Sequence, residues 1–339
     1  MRIPYCGTSV YKLADIASYF LIDRSGRLVN VDLRHACIYG LRLQGTDAVK
    51  YDGDHEETSA EESMRTRSMA DPVRYPTMTT AQIREAFLID ALFTPGELNQ
   101  VHVDLDRAVV GMAVPLKSPI GLIADETLRA KYFTERRELG VLNIAEDGVI
   151  HVGSESYPLA NLDCLYIGRG AKEITFESID PDSPAVFYLL SYPAHCSYPT
   201  TLVHKDEASP VELGSAKTCN HRTVCKYIHL DGAQSCQLVM GVTHLHPGSV
   251  WNTMPAHTHM RRSEIYMYFN LAGEARVFHL MGPPEETRHI VMKNGDVVVS
   301  PGWSIHAGIG TQAYSFCWGM GGENQDYGDM DPVPLESVR

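Results

Sequence analysis

The sequence predicts an all-β protein made of two β-barrels in tandem, with a short helical segment before the first. Two observations support this fold class. After residue 98, short apolar runs such as AVFYLLSY and EIYMYFNL alternate with Gly, Pro, Asn and Asp, which is typical of sandwiches and barrels. A partial internal repeat then aligns residues 161–173 with 294–306 without gaps, pairing Asn with Asn and Asp with Asp. A repeat of this kind predicts two similar barrels.

The segment before the barrels fits a helix. It runs from Thr77 to Leu98 and reads TMTTAQIREAFLIDALFTPGEL. Thr79 or Thr80 can act as the N-cap, and Ile83, Phe87 and Leu88 recur at helical spacing before Pro95-Gly96 ends the helix.

An acidic stretch separates the N-terminus from the barrels. Residues 51–63 hold four Glu and two Asp without Lys or Arg, so they predict a solvated linker. We divide the chain into an N-terminal extension with this linker (1–63), a first barrel (64–205) and a second barrel with a C-terminal tail (206–339). For residues 1–63, whose apolar runs at 29–33 and 38–43 suggest at most a hairpin, two interpretations stay open. They are a disordered extension, or a start-site artefact with translation beginning at Met64 or Met69.

Composition and charge exclude several classes of function. With 44% hydrophobic and 21% charged residues, the chain has the composition of a soluble globular protein. No run reaches the roughly 18 apolar residues of a membrane span, and the N-terminus lacks a secretory pattern, so we expect no membrane and a cytoplasmic location. A formal charge of −13, without a basic stripe, argues against nucleic acid as a partner.

The strongest local signal is a set of metal-ligating residues. The run HTHMRRSE extends from His257 to Glu264, and GDVVVSPGWSIH ends at His306. Residues two apart on a strand share a face, so His257 and His259 point the same way. A lone HxH pair is weak evidence, because buried histidines often only form hydrogen bonds. Three imidazoles and one carboxylate together predict one divalent ion such as zinc, manganese, iron or nickel.

These spacings resemble a known superfamily. HxH-x4-E followed by G-x5-P-x4-H is similar to the two motifs of the cupins, whose small jelly-roll barrels hold a metal through three His and one Glu. One detail departs from the pattern: Gly302 follows Pro301 directly, where cupins usually place Gly two residues after the Pro. Longer strings, including YFTERRELGVLNI, GSVWNTMPAHTHMRRSE and WGMGGENQDYGDMD, resemble the 5-keto-4-deoxyuronate isomerase family over roughly residues 70–335.

The resemblance implies a cofactor, a substrate and an assembly. It implies one Zn²⁺ per subunit on His257, His259, Glu264 and His306, and a homohexamer. The expected reaction converts the small acidic sugar 5-dehydro-4-deoxy-D-glucuronate to 3-deoxy-D-glycero-2,5-hexodiulosonate in pectin degradation. Three alternatives stay open: the 5-deoxyglucuronate isomerase of inositol breakdown, an iron oxygenase of cupin type, and a sugar-binding cupin without turnover.

Under the duplication hypothesis, the first barrel has lost the metal site. Lys131 and Phe133 fall near the positions of His257 and His259, and Glu173 replaces His306.

An isomerase also needs a proton shuttle and a cation for the substrate carboxylate. The candidates for proton transfer are Glu323, Tyr266 and His246, with Tyr268 and His244 beside them. Tyr266 and Tyr268 share the parity of Glu264 along their strand, although barrel core, turn and loop roles are the plain alternatives. Arg262, which has the same parity, is the first candidate for the carboxylate, followed by Arg261, Arg288 and Arg222.

Overall fold

The computed structural model describes residues 19–22, 28–31 and 64–339. Near the N-terminus, β1 (Tyr19–Ile22) and β2 (Leu28–Val31) pair antiparallel. The apolar run at 29–33 overlaps β2, whereas the run at 38–43 and the acidic linker at 51–63 lie outside the described residues.

The first barrel consists of a seven-stranded and a four-stranded sheet. Its strands are β3 (Arg65–Arg67), β5 (Leu98–Val103), β6 (Val109–Ala113), β7 (Ile120–Gly121), β8 (Arg137–Asn143), β9 (Gly148–Val152), β10 (Glu155–Leu159), β11 (Cys164–Ile167), β12 (Ile174–Ser178), β13 (Phe187–Pro193) and β14 (Thr201–Val203). The large sheet has the order β14-β11-β8-β13-β6-β5-β3, and the small sheet has the order β10-β9-β12-β7. Alternate residues of these strands fill the space between the two sheets with apolar side chains.

The second barrel repeats this architecture. Its strands are β4 (Leu88–Ile89), β15 (Val211–Leu213), β16 (Arg222–Ile228), β17 (Val239–Leu245), β18 (Trp251–Asn252), β19 (His257–Thr258), β20 (Arg262–Phe269), β21 (Val277–Gly282), β22 (Arg288–Met292), β23 (Val297–Ser300), β24 (Ile305–Gly310), β25 (Ser315–Gly322) and β26 (Asp331–Pro332). The large sheet runs β15-β16-β17-β25-β20-β23-β4 and the small sheet runs β18-β24-β21-β22, while β19 pairs with β26. The all-β tandem-barrel prediction is confirmed. Among the described helices, none is long and apolar enough to cross a membrane.

The predicted N-terminal helix exists but is shorter than the sequence pattern indicated. Helix α1 spans Thr80–Phe87, with Thr79 as the N-cap and Gln82 completing a capping box. The prediction that it continues toward Pro95 was wrong, because Leu88–Ile89 form β4 and pair with β23. Both residues of β4 are buried, and α1 packs on the second barrel although it precedes the first in the chain.

The two barrels pack through the faces of their large sheets. Val110, Met112, Tyr188 and Leu190 of the first barrel form one cluster with Met240, Val242, Ile265 and Met267 of the second. A buried carboxylate adds polar contacts across this interface. Glu138 accepts hydrogen bonds from the backbone N–H groups of Cys236 (2.6 Å), Gln237 (2.9 Å) and Leu238 (2.9 Å) of the second barrel. It also accepts from the Tyr166 hydroxyl of its own barrel (2.8 Å). The interface therefore holds the second barrel, and its site, in a fixed position on the first.

Candidate metal centre

The structure brings the four predicted ligands to one point inside the second barrel. The Nε2 atom of His257 lies 3.1 Å from that of His259 and 3.0 Å from that of His306. Glu264 Oε2 lies 2.9 Å from Nε2 of both His259 and His306. Ligand atoms around a tetrahedral zinc ion at its usual bond lengths are separated by about 3.3 Å, and octahedral coordination brings them to about 3 Å. The four atoms are thus spaced like the ligand atoms around one small cation.

Separate elements of the second barrel position these ligands. His257 lies on the short strand β19, which pairs with β26 of the C-terminal tail, and His259 follows it. Glu264 lies on β20, paired with Ser300 of β23, and His306 lies on β24, opposite Met281. His259, Glu264 and His306 are buried, and His257 is partly exposed.

The hydrogen bond of His259 indicates which of its nitrogens is free to bind a metal. Its Nδ1 lies 2.8 Å from the backbone carbonyl of Asp329. A carbonyl oxygen only accepts, so Nδ1 carries the hydrogen and Nε2 presents a lone pair toward Glu264 Oε2, which is also an acceptor. A cation between these two atoms satisfies both of them. The residues therefore fit a divalent metal.

Electrostatics keep two of the four candidate ligands, His257 and Glu264, in the forms that bind metal. Burial, followed by the neighbouring His306, lowers the pKa of His257 to about 3, so its imidazole is neutral at physiological pH. Burial alone raises the pKa of Glu264, but His306 and His259 outweigh that effect and hold it well below its ordinary value. A neutral imidazole and an ionised carboxylate are the ligating forms.

The glycine that departs from the cupin pattern has a structural reason. Gly302 lies against the backbone around His259: a Cβ added there would lie 2.6 Å from the His259 carbonyl oxygen. The His259 N–H donates to the Gly302 carbonyl at 3.2 Å. The Pro301-Gly302 turn thus supports the backbone of a ligand.

The first barrel has apolar residues where the second has Glu264 and His306. In the second barrel Glu264 pairs with Ser300, and in the first barrel the corresponding pair is Leu139 with Ile167. Leu139 and Ile167 are both fully buried. Glu173, the residue that gapless alignment places on His306, is exposed with φ near 54°, and the next residue, Ile174, is the one that points inward. The alignment is therefore wrong by one residue at that position. Within the described part of the first barrel, no cluster of ligating groups occupies the interior.

A cavity of about 260 Å³ opens beside the metal ligands. This volume is below the roughly 300–1,000 Å³ of pockets for drug-sized ligands, so the cavity suits a small metabolite. The polar side chains of its wall are Arg222, Thr243, Asn252, Thr253, Tyr266 and Tyr327. Apolar side chains, including Phe316 and Trp318, form the remainder.

The arginines take different places from those that strand parity suggested. Arg262 is 2% exposed and lies behind His259, where it donates to the carbonyls of Asp326 (2.7 Å) and Asp329 (2.8 Å). Arg261 pairs on the surface with the carboxylates of Asp329 and Asp331. Both arginines therefore hold the tail segment whose carbonyl orients His259, outside the cavity wall.

Two further arginines were ranked lower by the sequence. Arg288 donates to the carbonyls of Pro76 and Met78, away from the cavity. Arg222 lines the cavity, where burial lowers its pKa while the guanidinium stays protonated at neutral pH.

Of the candidates for proton transfer, the structure places Tyr266 in the cavity wall, with its ring centroid 5.5 Å from that of His306. Glu323 is exposed at a separate surface recess, and His246 lies on the outer face of the barrel beside Glu212. Tyr268 bonds to His279 in the core, and His244 bonds to Ser315. Sequence reasoning missed Tyr327 and the Asp329 carbonyl, because both lie in the irregular tail, where no strand periodicity predicts orientation.

Comparison with known proteins assigns the chain to a family. The sequence profile of the KduI/IolB family matches residues 88–332, which include every strand of the two barrels except β3 and all four candidate metal ligands. The chain belongs to the KduI/IolB family. Its fold is similar to the crystal structure of an IolB-like protein from Salmonella typhimurium LT2, with a TM-score of 0.60 over 73% of this chain and 96% of that one. At 13% identity, this likeness is evidence about the fold alone.

Within the KduI/IolB family, much closer relatives exist. The chain is 51% identical over 276 residues to a 4-deoxy-L-threo-5-hexosulose-uronate ketol-isomerase of Lachnoclostridium phytofermentans, covering 81% of this chain and all of the relative. It is 49% identical over 265 residues to the enzyme of the same name from Escherichia coli O127:H6, covering 78% of this chain and 95% of that protein.

Proposed function

We propose that this chain is a zinc-dependent ketol-isomerase that converts 5-dehydro-4-deoxy-D-glucuronate to 3-deoxy-D-glycero-2,5-hexodiulosonate. One observation of the structure carries the proposal: the four-ligand centre and the Arg222 guanidinium face the same small cavity. A group for carbonyl and hydroxyl oxygens and a group for a carboxylate thus stand together, as an acidic sugar requires. The names of the relatives at about 50% identity support the same reaction.

Three nitrogens and one carboxylate oxygen suit zinc, although manganese, iron and nickel accept the same ligands. When bound, the ion supplies Lewis-acid polarisation of the substrate oxygens. We propose that His257, His259, Glu264 and His306 together hold one zinc ion.

Arg222 is our candidate for binding the substrate carboxylate. One of its N–H donors bonds the Asn220 carbonyl at 2.9 Å, which fixes the guanidinium at the cavity wall. The remaining donors can bind a carboxylate in two-point fashion, worth about 1.5–3 kcal/mol for a charged hydrogen bond. Arg222 replaces Arg262 and Arg261, the first candidates from the sequence, because the guanidinium groups of those two residues bind the C-terminal tail.

Tyr266 is our candidate for the proton-handling group. Burial raises the pKa of Tyr266 well above its ordinary value, so the phenol keeps its hydrogen at neutral pH. Its hydroxyl lies 3.4 Å from the Thr253 hydroxyl and can donate to a substrate oxygen on which negative charge develops. Tyr327 lies in the same wall. Apart from the candidate metal ligands and Arg222, Tyr266 and Tyr327 are the titratable side chains of this wall within the described residues.

The test measures zinc and turnover separately. Elemental analysis of the purified chain gives zinc per chain, and NMR of the deoxy-uronate in deuterated water gives isomerisation and solvent deuterium in the product. We expect one zinc in the centre, deuterium in the product, and loss of that zinc in His257→Ala. A fully zinc-loaded protein without turnover would refute the isomerase.

A pair of tyrosine variants tests the proton-handling role. Tyr266→Phe removes the cavity hydroxyl and is expected to lower kcat by about 10²–10⁴-fold with its zinc retained. Tyr268→Phe is the matched control, since it removes a buried hydroxyl two residues away that bonds His279 outside the cavity. Equal losses in the two variants would reject the role of Tyr266.

No observation favours the inositol-pathway isomerase or a non-catalytic sugar-binding protein, since the IolB-like structure shares only the fold. Assaying 5-deoxyglucuronate in parallel separates the two isomerase activities. The cytoplasmic location and the homohexamer stay predictions of the sequence analysis.

A further inference from the structure

A second group of ligating side chains lies on the outer face of the second barrel. Glu212 of the edge strand β15, His221 just before β16 and His246 just after β17 converge there, and we call them the surface triad. All three are partly exposed to solvent. They lie outside the wall of the cavity described above.

The surface triad repeats part of the geometry of the buried centre. Glu212 Oε2 lies 3.0 Å from His221 Nε2 and 3.1 Å from His246 Nε2, and the two imidazole rings stack with an interplanar angle of 13°. In the buried centre, Glu264 Oε2 lies 2.9 Å from Nε2 of both His259 and His306, whose rings stack at 7°. In both places, one carboxylate oxygen thus lies about 3 Å from the Nε2 atoms of two stacked imidazoles.

The Thr223 hydroxyl contacts two members of the surface triad, and because it has one hydrogen to donate, it accepts from His246 Nε2 when it donates to Glu212; a metal ion would replace that contact to His246. Thr223 Oγ1 donates to the other carboxylate oxygen, Glu212 Oε1, at 2.5 Å, and so fixes the direction in which Oε2 points. The Thr223 hydroxyl also lies 2.9 Å from His246 Nε2. A set of two histidines and one carboxylate binds divalent transition metals on one face and leaves the opposite face open to water.

We propose that the surface triad is a second divalent metal site, which takes Zn²⁺ with water completing its coordination. It binds more weakly than the buried centre, because it has three protein ligands instead of four and competes with solvent. Without an ion, the same atoms would form hydrogen bonds from the two imidazoles to Glu212. A measurement of metal binding distinguishes a metal site from such a hydrogen-bond network.

An ion at the surface triad would connect three neighbouring strands. Strand β15 is the edge of the large sheet, and its three residues are exposed. Its Leu213, and Arg222 on the adjacent β16, belong to the cavity wall. A bound ion therefore ties the edge strand to β16 and β17 and limits the motion of that wall.

The test counts zinc on the full-length chain at buffered free zinc, by equilibrium dialysis and elemental analysis. We expect two zinc ions per wild-type chain, and one in Glu212→Gln and in His246→Gln, with the affinity for the second ion reduced at least about tenfold. His151→Gln is the matched control, because His151 is a surface histidine paired with a single carboxylate, Glu177, at 3.0 Å. It should keep both ions.

Two further measurements test the surface metal site without relying on catalytic activity. His257→Ala should keep the surface ion while it loses the buried one, so failure of the isomerase proposal leaves this site intact. Added zinc should slow amide hydrogen exchange of residues 211–213 in the wild type and leave it unchanged in His246→Gln. A wild-type chain that holds one zinc, or a second zinc that survives in both triad variants, would overturn the proposal.

Discussion

Replacement of Glu138 by Gln should weaken the contact between the two barrels. Glu138 is fully buried, and its two carboxylate oxygens accept four hydrogen bonds. Oε1 accepts from the N–H groups of Gln237 and Leu238, and Oε2 accepts from the Cys236 N–H and the Tyr166 hydroxyl. Gln keeps one acceptor oxygen, so its NH₂ group must face donors that the second oxygen now satisfies.

The magnitude follows from this count. When the NH₂ group takes the place of Oε2, the two bonds to Oε1 change from a charged to a neutral acceptor and the Tyr166 hydroxyl can turn to accept. The buried Cys236 N–H loses its acceptor, at about 1–3 kcal/mol for the unsatisfied group alone. We expect the free energy of unfolding to fall by about 2–4 kcal/mol. At about 2–4 °C per kcal/mol for a domain of this size, the melting temperature should fall by about 5–15 °C.

Scanning calorimetry and urea denaturation of the zinc-loaded protein measure both quantities. Glu177→Gln is the control, because Glu177 is an exposed carboxylate with one histidine partner, and its loss should change stability by less than about 0.5 kcal/mol. If Glu138→Gln melts at the wild-type temperature, or if Glu177→Gln loses as much, the role given to Glu138 is wrong.

Three further predictions concern the site and its surroundings. Arg222→Lys keeps the charge but loses the planar fork, so kcat/KM should fall about 10–100-fold at unchanged zinc content; unaltered kinetics would exclude Arg222 as the carboxylate partner. In Gly302→Ala the new Cβ would lie 2.6 Å from the His259 carbonyl, so zinc affinity should fall about tenfold, whereas Gly121→Ala, which meets open space, should bind normally. Burial lowers the pKa of His279 to about 3 from an ordinary 6.5, so below pH 6.5 the unfolded chain takes up a proton that the folded one does not, and stability falls by about 1.4 kcal/mol per pH unit. Urea denaturation at pH 7 and pH 5 gives the change in the free energy of unfolding between these pH values, which should be about 2 kcal/mol smaller in His279→Gln than in the wild type. An equal change in both proteins would contradict this assignment.

The sequence by itself determined the fold class and predicted the four candidate ligands that converge in the structure. Both depend on short-range patterns: alternating apolar residues broken by turns indicate strands, and three of the four ligands lie within eight residues, from His257 to Glu264. His306 was identifiable because it follows a Pro turn at a fixed distance. His257 lies on the two-residue strand β19 and His259 directly follows it, so the two-residue spacing still brings both imidazoles to the same point.

The tertiary structure alone decided which side chains surround that point. Strand parity puts Arg262 on the same side as Glu264, but the tail covers the start of β20 and its carbonyls engage the guanidinium. Arg222 and Tyr327, far from the ligands in sequence, reach the cavity instead. The same limit applies to β4, which pairs with β23 of the second barrel across two hundred residues. Such placements depend on long-range packing and on what covers a strand end, and neither is encoded in a local pattern.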